Sequence, residues 1–207
     1  MIKAECMARL KRSRIVPVIR ASSPDEALRM IEALLAGGID ILEITMTVPN
    51  AVELIREVAE GFGSRALVGA GTVLDPETAE ACIAAGAQFV VSPAFDTETV
   101  MICNKHGIVI APGALTPSEI VCAFHAGGDI IKVFPCDALG GASYLRSLRA
   151  PLPHIPLMPT GGVTLETLPG FLAAGAVAVG VGTSLADPKI SLTELTDRAR
   201  AFRAAVP

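Results

Sequence analysis

The sequence predicts an α/β fold, a (β/α)8 TIM barrel of eight parallel strands with an extra N-terminal helix. Short apolar runs rich in β-branched residues alternate with helical segments of about ten to fifteen residues, which is typical of consecutive βαβ units. Of the 207 residues, 51% are hydrophobic but only 4% are aromatic, and this balance suits helices packed on parallel strands. A doubly wound parallel sheet is the structural alternative.

Eight apolar runs are the candidate strands. In chain order they are RIVPVIR ending at Arg20, IDILEITM around Glu43, ALVGAGT ending at Thr72, AQFVVSP ending at Pro93, GIVIAPG, DIIKVFP around Lys132, IPLMPT ending at Thr160, and VAVGVG ending at Gly182. Eight parallel strands close into a barrel. No linker or break in composition divides them, so residues 1–207 are predicted to form a single TIM-barrel domain.

The segments between the runs contain signals for the starts and ends of helices. Ser23-Pro24-Asp25-Glu26 offers an N-cap hydroxyl, a proline in the first turn and a reciprocal glutamate. Thr116-Pro117-Ser118-Glu119 repeats this pattern, and Asp75-Pro76 gives a further capped start. A weak internal repeat ends four helices with a glycine that can adopt the left-handed conformation. The four repeats are Ala36-Gly37-Gly38, Ala85-Gly86-Ala87, Ala126-Gly127-Gly128 and Ala174-Gly175-Ala176.

Composition and charge exclude several classes of function. A net charge of -4 and a pI near 5.4 leave no basic face for nucleic acid. The N-terminal residues lack the apolar stretch of a secretory signal, and no later run approaches the length of a membrane span. No nucleic-acid or membrane partner and a cytoplasmic location are therefore expected. The five cysteines show no CxxC spacing and the three histidines form no HxxxH pair, so neither a metal site nor a cofactor is predicted.

Two candidate strands contain an ionisable residue among apolar neighbours, Lys132 in IIKVF and Glu43 in ILEI. Both faces of a barrel strand are covered, so such a group must be paired, neutralised or functional. Loss of hydration lowers the pKa of a buried lysine and leaves more free amine to attack a carbonyl carbon. A nearby carboxyl group can then transfer protons. A structural ion pair between Lys132 and Glu43 is the alternative interpretation.

Further polar groups follow the runs, at the end of a barrel where active sites are built. Arg20 ends the first run, and its guanidinium can bind a carboxylate through two hydrogen bonds; a surface or helix-facing ion pair is the alternative. Glycine-rich turns follow the last two runs, at Thr160-Gly161-Gly162-Val163 and at Gly180-Val181-Gly182-Thr183-Ser184. Barrels often bind phosphate there. A short helix predicted to begin near Thr183 and Ser184 would add its positive end.

These residues lie in motifs that resemble the 2-keto-3-deoxy-6-phosphogluconate (KDPG) aldolase family, also described as 4-hydroxy-2-oxoglutarate aldolases, which are class I aldolases. The resemblance runs nearly end to end, and the order and spacing of its motifs are more specific than any one of them. The motifs are VPVIRA, EITMTVPNA, GAGTVL, VVSPAFD, APGALTPSE, IKVFP, PTGGV and VGVGTSL.

The resemblance implies a role for each candidate residue. Lys132 would form the imine and Glu43 would transfer protons. The pyruvate pocket would be lined by Thr72, Pro93 and Phe134, and the phosphate would be held by Gly161, Gly162, Gly182, Thr183 and Ser184. Thr160 lies where the family distinguishes gluconate-type from galactonate-type substrates, and threonine looks like the gluconate form. The family also forms trimers, so a homotrimer is expected.

One position departs from part of the family. Some members carry an arginine shortly after the catalytic glutamate to bind the pyruvate carboxylate, whereas this chain has Thr47. Arg20 is the expected substitute, and Thr47 is retained among the predicted substrate-binding residues. The change could broaden specificity toward 4-hydroxy-2-oxoglutarate.

The resemblance predicts a lyase for small molecules. It would cleave KDPG reversibly to pyruvate and glyceraldehyde 3-phosphate, and 4-hydroxy-2-oxoglutarate to pyruvate and glyoxylate, by Schiff-base chemistry without a cofactor. Three alternatives stay open at this point. They are an aldolase for 2-keto-3-deoxy-6-phosphogalactonate, an isomerase or synthase of a phosphorylated metabolite, and a non-catalytic barrel that binds a sugar phosphate.

Overall fold

The computed structural model describes residues 2–63 and 65–206; Met1, Ser64 and Pro207 of the predicted domain lie outside the described residues. Strands and helices alternate along this part of the chain. The strands are β1 (Ile15–Ile19), β2 (Ile41–Thr45), β3 (Leu67–Gly71), β4 (Phe89–Val91), β5 (Val109–Ala111), β6 (Gly113–Ala114), β7 (Ile131–Val133), β8 (Leu157–Pro159) and β9 (Val179–Val181). The helices are α1 (Lys3–Ser13), α2 (Pro24–Ala36), α3 (Ala51–Phe62), α4 (Pro76–Ala84), α5 (Thr97–Lys105), α6 (Pro117–His125), α7 (Ala142–Arg149), α8 (Leu168–Ala173) and α9 (Leu192–Ala204), and a 3-10 helix covers Asp137–Leu139.

All strand pairs are parallel, as predicted, but the strands form two sheets. Six strands pair in the order β5-β4-β3-β2-β1-β9, and three pair in the order β6-β7-β8. The fifth predicted run contains β5 and the first residue of β6, and Pro112 separates the two strands. Proline has no N–H to donate to a neighbouring strand, so this run is split where the sequence analysis predicted one strand.

Apolar residues fill two layers of the core. The larger layer lies between the strands and the surrounding helices and includes Ile19, Leu42 and Ile131. The smaller layer contains side chains of the opposite strand face, such as Ile41 and Ile130, together with Cys6 and Leu10 of α1. The extra N-terminal helix predicted from the sequence therefore packs against the inner face of the strands.

The predicted helix starts are confirmed. The side chains of Ser23, Asp75 and Thr116 each accept a hydrogen bond from the backbone N–H three residues later. Such a cap satisfies a helix donor that would otherwise lack a partner. These caps fix where α2, α4 and α6 begin, directly after the turns that follow β1, β3 and β6.

The glycines of the internal repeat behave as predicted with one exception. Gly86, Gly127 and Gly175 have φ angles of +104°, +104° and +94°. After α2 it is Gly38 (φ +87°) that takes this conformation, whereas Gly37 is right-handed. Gly37 lies so close to Ala199 of α9 that a Cβ atom would overlap it, so its role is close helix packing.

No helix among residues 2–63 and 65–206 combines the length and the apolar character that crossing a membrane requires.

Candidate active site

A cavity of about 390 Å³ opens at the carboxyl ends of the strands. It is bounded by residues that follow β1, β3, β4, β7, β8 and β9, so both sheets contribute to it. Eleven of the thirteen predicted site residues line it, namely Arg20, Thr72, Pro93, Lys132, Phe134, Thr160, Gly161, Gly162, Gly182, Thr183 and Ser184. Glu43 and Thr47 do not.

Lys132 lies in β7 and is only 5% exposed, yet its side chain contributes to the cavity wall. Its Nζ lies 5.1 Å from the centre of the Phe134 ring. Burial lowers the pKa of the amine from its ordinary value, and the positive charge of Arg20 acts in the same direction, while Glu43 opposes both. The result is an amine with an increased uncharged fraction that faces a space large enough for a small ligand.

Glu43 lies in β2, 1% exposed. Burial raises the pKa of its carboxyl group, against the opposing charges of Lys132 and Arg20. Gly71 of β3 packs so closely against it that a Cβ atom would overlap Oε1, and Oε1 has no hydrogen-bond partner among the described residues. A buried carboxyl oxygen without a partner costs free energy, so Glu43 is placed to exchange a proton with a bound molecule or water.

The alternative of a structural ion pair is not supported. Among the ion pairs formed by the described residues, none joins Lys132 to Glu43. The pKa of each group shifts toward its uncharged form. A buried carboxyl group and a buried amine whose pKa values shift toward each other suit proton transfer better than a permanent pair of charges.

Arg20 follows β1, and its side chain reaches the cavity. It forms none of the ion pairs found in the described part of the chain, so the alternative of a surface or helix-facing ion pair is not what the structure has. A guanidinium in a cavity with unused donors can bind a carboxylate through two hydrogen bonds.

Two threonines of the cavity wall have unusual surroundings. Thr72 has a φ of +59°, a left-handed conformation that is costly for a β-branched residue and is found mostly where function requires it. Thr160 is 7% exposed, and its Oγ1 has no hydrogen-bond partner in the part of the chain that the structure describes. This hydroxyl packs against Gly180, where any side chain would overlap it.

Thr47, which was retained among the predicted substrate-binding residues, does not line the cavity. Its hydroxyl is exposed and lies 2.6 Å from Oγ1 of Thr45, which in turn donates to the carbonyl oxygen of Ile19 at 2.9 Å. Since Thr45 uses its own proton on Ile19, Thr47 is the donor to Thr45. Thr47 therefore supports the end of β1 rather than the cavity wall, and its predicted contact with substrate has no support in this geometry.

The two glycine-rich turns lie side by side. Gly161 and Gly162 have φ angles of +101° and +70°, and both pack against the side chain of Asp137. In the second turn, Leu185 and Ala186 donate to the carbonyl oxygen of Gly182, which forms a single turn. The short helix predicted near Thr183 and Ser184 is therefore wrong: the chain leaves this turn for a loop that reaches α9.

Several residues that frame the site were missed from the sequence. Gly71 and Gly180 make room for Glu43 and Thr160, and a glycine inside a strand is itself a signal of close approach. Thr45, which donates to the carbonyl oxygen of Ile19, was not among the predicted site residues. Among residues 2–63 and 65–206, no group of three His, Cys, Asp or Glu side chains could hold a metal ion.

Comparison with known proteins extends over nearly the whole chain. The sequence model of the aldolase family described as KDPG and KHG aldolase matches residues 6–201. The chain belongs to this family. Within the KDPG and KHG aldolase family, a 2-dehydro-3-deoxy-6-phosphogalactonate aldolase of Escherichia coli (strain K12) is 34% identical over 189 residues, covering 91% of this chain and 92% of the relative.

Two further members are similar at comparable levels. A 2-dehydro-3-deoxy-phosphogluconate aldolase of Treponema pallidum (strain Nichols) is 38% identical over 164 residues, 79% of this chain and 78% of the relative. The crystal structure of the KDPG aldolase of Legionella pneumophila, with pyruvate captured at low pH as a covalent carbinolamine intermediate, superposes with a TM-score of 0.83 at 29% identity and covers 97% of this chain and 95% of that one. The family and its curled parallel architecture are thus shared by this chain.

Proposed function

We propose that this protein is a class I aldolase that cleaves KDPG reversibly to pyruvate and glyceraldehyde 3-phosphate and that also accepts 4-hydroxy-2-oxoglutarate. The observation that supports it most strongly is the buried amine of Lys132 in the wall of a cavity, close enough to Glu43 for each charge to affect the other's pKa. A sheltered amine beside a buried carboxyl group is what imine chemistry with a keto acid requires.

The reaction begins when the uncharged amine of Lys132 attacks the C2 ketone of the substrate. The Glu43 carboxyl group donates a proton to the hydroxyl of the resulting carbinolamine, which leaves as water, and a protonated imine forms. Glu43, directly or through a water molecule, removes the proton of the C4 hydroxyl, and the C3–C4 bond breaks. Its electron pair moves to C3 and forms an enamine, while the aldehyde leaves. The enamine takes a proton at C3 from the Glu43 carboxyl group and becomes a protonated imine again. Water hydrolyses this imine to release pyruvate and the free amine, and the remaining proton returns to the Glu43 carboxylate.

Three groups of side chains would orient the substrate during these steps. The guanidinium of Arg20 would bind the carboxylate of the keto acid, while Thr72, Pro93 and Phe134 would line the pyruvate pocket. Thr160 would contact the substrate hydroxyls through its unpaired Oγ1. The turns at Gly161-Gly162 and Gly182-Thr183-Ser184 would hold the phosphate by their backbone N–H groups, because glycine allows an anion to approach the backbone closely.

Comparing cleavage rates of KDPG, 2-keto-3-deoxy-6-phosphogalactonate and 4-hydroxy-2-oxoglutarate tests the substrate directly. Pyruvate release is followed in each case with a coupled assay. We expect the highest kcat/KM for KDPG, because its phosphate gains contacts that 4-hydroxy-2-oxoglutarate lacks. Strong preference for the unphosphorylated compound would overturn the phosphate assignment, and binding of sugar phosphates without any pyruvate release would favour a non-catalytic barrel.

The phosphogalactonate aldolase is a second candidate because an Escherichia coli relative of that name aligns with 91% of this chain at 34% identity. The two substrates differ in the configuration of one hydroxyl group. A site distinguishes such hydroxyls when its buried polar groups are left unpaired by the wrong one. Thr160, with its unpaired hydroxyl, is the residue to which we assign this choice.

The rate of imine formation should depend on pH through Lys132. A lysine amine is protonated below its pKa and free above it, so a lowered pKa moves the onset of reactivity to lower pH. We expect the rate of pyruvate trapping by borohydride to rise with pH and to reach its midpoint below the ordinary lysine pKa of about 10.4. A midpoint at or above that value would contradict the assigned environment of the amine.

We also propose that the two sheets close into one eight-stranded barrel within a single domain, residues 1–207. The support is that β8 meets β9 through a hydrogen bond from Val177 to Leu157 and a parallel bridge between Thr160 and Gly180. At the other junction, the backbone N–H of Lys132 in β7 donates to the carbonyl oxygen of Pro112, the residue between β5 and β6. The homotrimer and the cytoplasmic location stay predictions.

A further inference from the structure

The second glycine-rich turn is contacted from outside the cavity by α9. Nη1 of Arg198 lies 3.4 Å from the carbonyl oxygens of both Thr183 and Ser184, and Nη2 donates to Oε1 of Glu194 at 2.7 Å. The guanidinium is thus held by an acidic residue one helical turn earlier while it donates to two successive carbonyl groups. The two carbonyl contacts are long, but the same rigid guanidinium makes both of them while it is anchored by Glu194.

These contacts determine which way the turn presents its N–H groups. A trans peptide is planar, and its C=O and N–H bonds point in opposite directions. Because Arg198 binds the carbonyl of Thr183 from the outside, the N–H of Ser184 in the same peptide points away from α9. Ser184 lines the cavity, and within the described residues its N–H has no acceptor.

A second contact joins this turn to its neighbour. The hydroxyl of Ser184 donates a hydrogen bond to the carbonyl oxygen of Val163, which follows Gly161 and Gly162. The hydroxyl proton of Ser184 is therefore used in the hydrogen bond to the other turn, and its backbone N–H is the donor that remains for a ligand. The two turns are held at a fixed separation, with Arg198 behind one of them.

We propose that Arg198 is a positioning residue for phosphate recognition, which fixes the Thr183–Ser184 peptide so that its N–H points at the phosphate of the substrate. The inference rests on the proposed function. Arg198 does not touch the substrate itself. Its positive charge behind the turn also favours the anion, although Glu194 offsets part of that charge.

The test compares Arg198→Ala with Arg200→Ala on two substrates. Arg200 lies on the same helix, pairs with Asp197, and has a largely exposed side chain, so it controls for the loss of a surface arginine on α9. For Arg198→Ala we expect KM for KDPG to rise about fivefold to twentyfold, the range expected when charge-assisted hydrogen bonds are lost. KM for 4-hydroxy-2-oxoglutarate should change less than about twofold, because that substrate has no phosphate.

Inorganic phosphate provides an independent readout as a competitor of 4-hydroxy-2-oxoglutarate cleavage. We expect its inhibition constant to rise in Arg198→Ala and to stay unchanged in Arg200→Ala. Arg198→Lys should recover only part of the loss, because a single ammonium nitrogen cannot bind the two carbonyl groups and at the same time Oε1 of Glu194, as Nη1 and Nη2 of the guanidinium do.

Equal effects of Arg198→Ala on both substrates would overturn the proposal, because they would indicate general destabilisation. Complete recovery in Arg198→Lys would also overturn it, because it would show that the positive charge alone is needed. These outcomes differ from a failure of the proposed function, in which the wild-type protein would cleave neither substrate.

Discussion

Replacing Lys132 with methionine is expected to abolish pyruvate formation from every keto acid substrate. Without the amine no imine forms, and the C3–C4 bond has no electron sink. We expect kcat to fall by at least about 10⁵-fold, well inside the acceleration that enzymes supply over the uncatalysed reaction. Methionine keeps the length and apolar character of the buried side chain, so the variant should fold. The measurement is the initial rate of pyruvate release beside a thermal unfolding curve.

Lys105→Met is the matched control for this variant. Lys105 ends α5 and is exposed, outside the candidate cavity, so the same chemical change there should leave kcat and KM as in the wild type. A folded Lys132→Met variant that retains more than about 1% of wild-type kcat would exceed what an active site without its nucleophile supplies, and would remove Lys132 from the proposed role.

Replacing Glu43 with glutamine is expected to separate imine formation from proton transfer. Glutamine fills the same space beside Gly71 but cannot accept and return a proton. We expect cleavage to slow by about 10²-fold to 10⁴-fold, the usual contribution of a positioned acid or base. Trapping of pyruvate on Lys132 by borohydride should persist, because the attacking amine is still present.

The control is Glu53→Gln, which makes the same change on an exposed glutamate in α3, the helix after β2. It should cleave substrate at the wild-type rate. Solvent deuterium exchange into the pyruvate methyl group adds a direct measure of proton transfer, and it should slow in Glu43→Gln alone. Normal exchange in that variant would show that another group moves the proton.

The strands were predictable because buried parallel strands are continuous apolar runs, and each of the eight runs contains one of the observed strands, the fifth run also including the start of a second. The division between β5 and β6 depends on how Pro112 meets its neighbours, which the run itself does not reveal. The N-caps at Ser23, Asp75 and Thr116 were predictable because each involves residues only three positions apart.

The chemistry of the site was predictable at Lys132 and Glu43 because burying an ionisable side chain inside an apolar strand costs free energy unless the group is paired, neutralised or functional. Features that depend on residues distant in the sequence could not be predicted. The left-handed conformation of Thr72 could not be read from its residue type, because β-branched residues rarely adopt it. Arg198 reaches the turn at Thr183 only through the packing of α9, which no local pattern shows.

Thr47 shows why an aligned position in a family does not by itself fix the direction of a side chain. The position suggested a contact with substrate, but the hydroxyl turns to Thr45 instead. Side-chain direction at the end of a strand depends on the partners available in three dimensions, which the sequence does not show, and the substrate contact of Thr47 stays a prediction.

Borohydride reduction in the presence of pyruvate, followed by peptide mass spectrometry, tests the central claim most directly. The account predicts one adduct with the mass of reduced pyruvate, located on Lys132 and accompanied by loss of activity in proportion to its formation. An adduct on another lysine, or an unmodified Lys132 in protein that has lost activity, would contradict it.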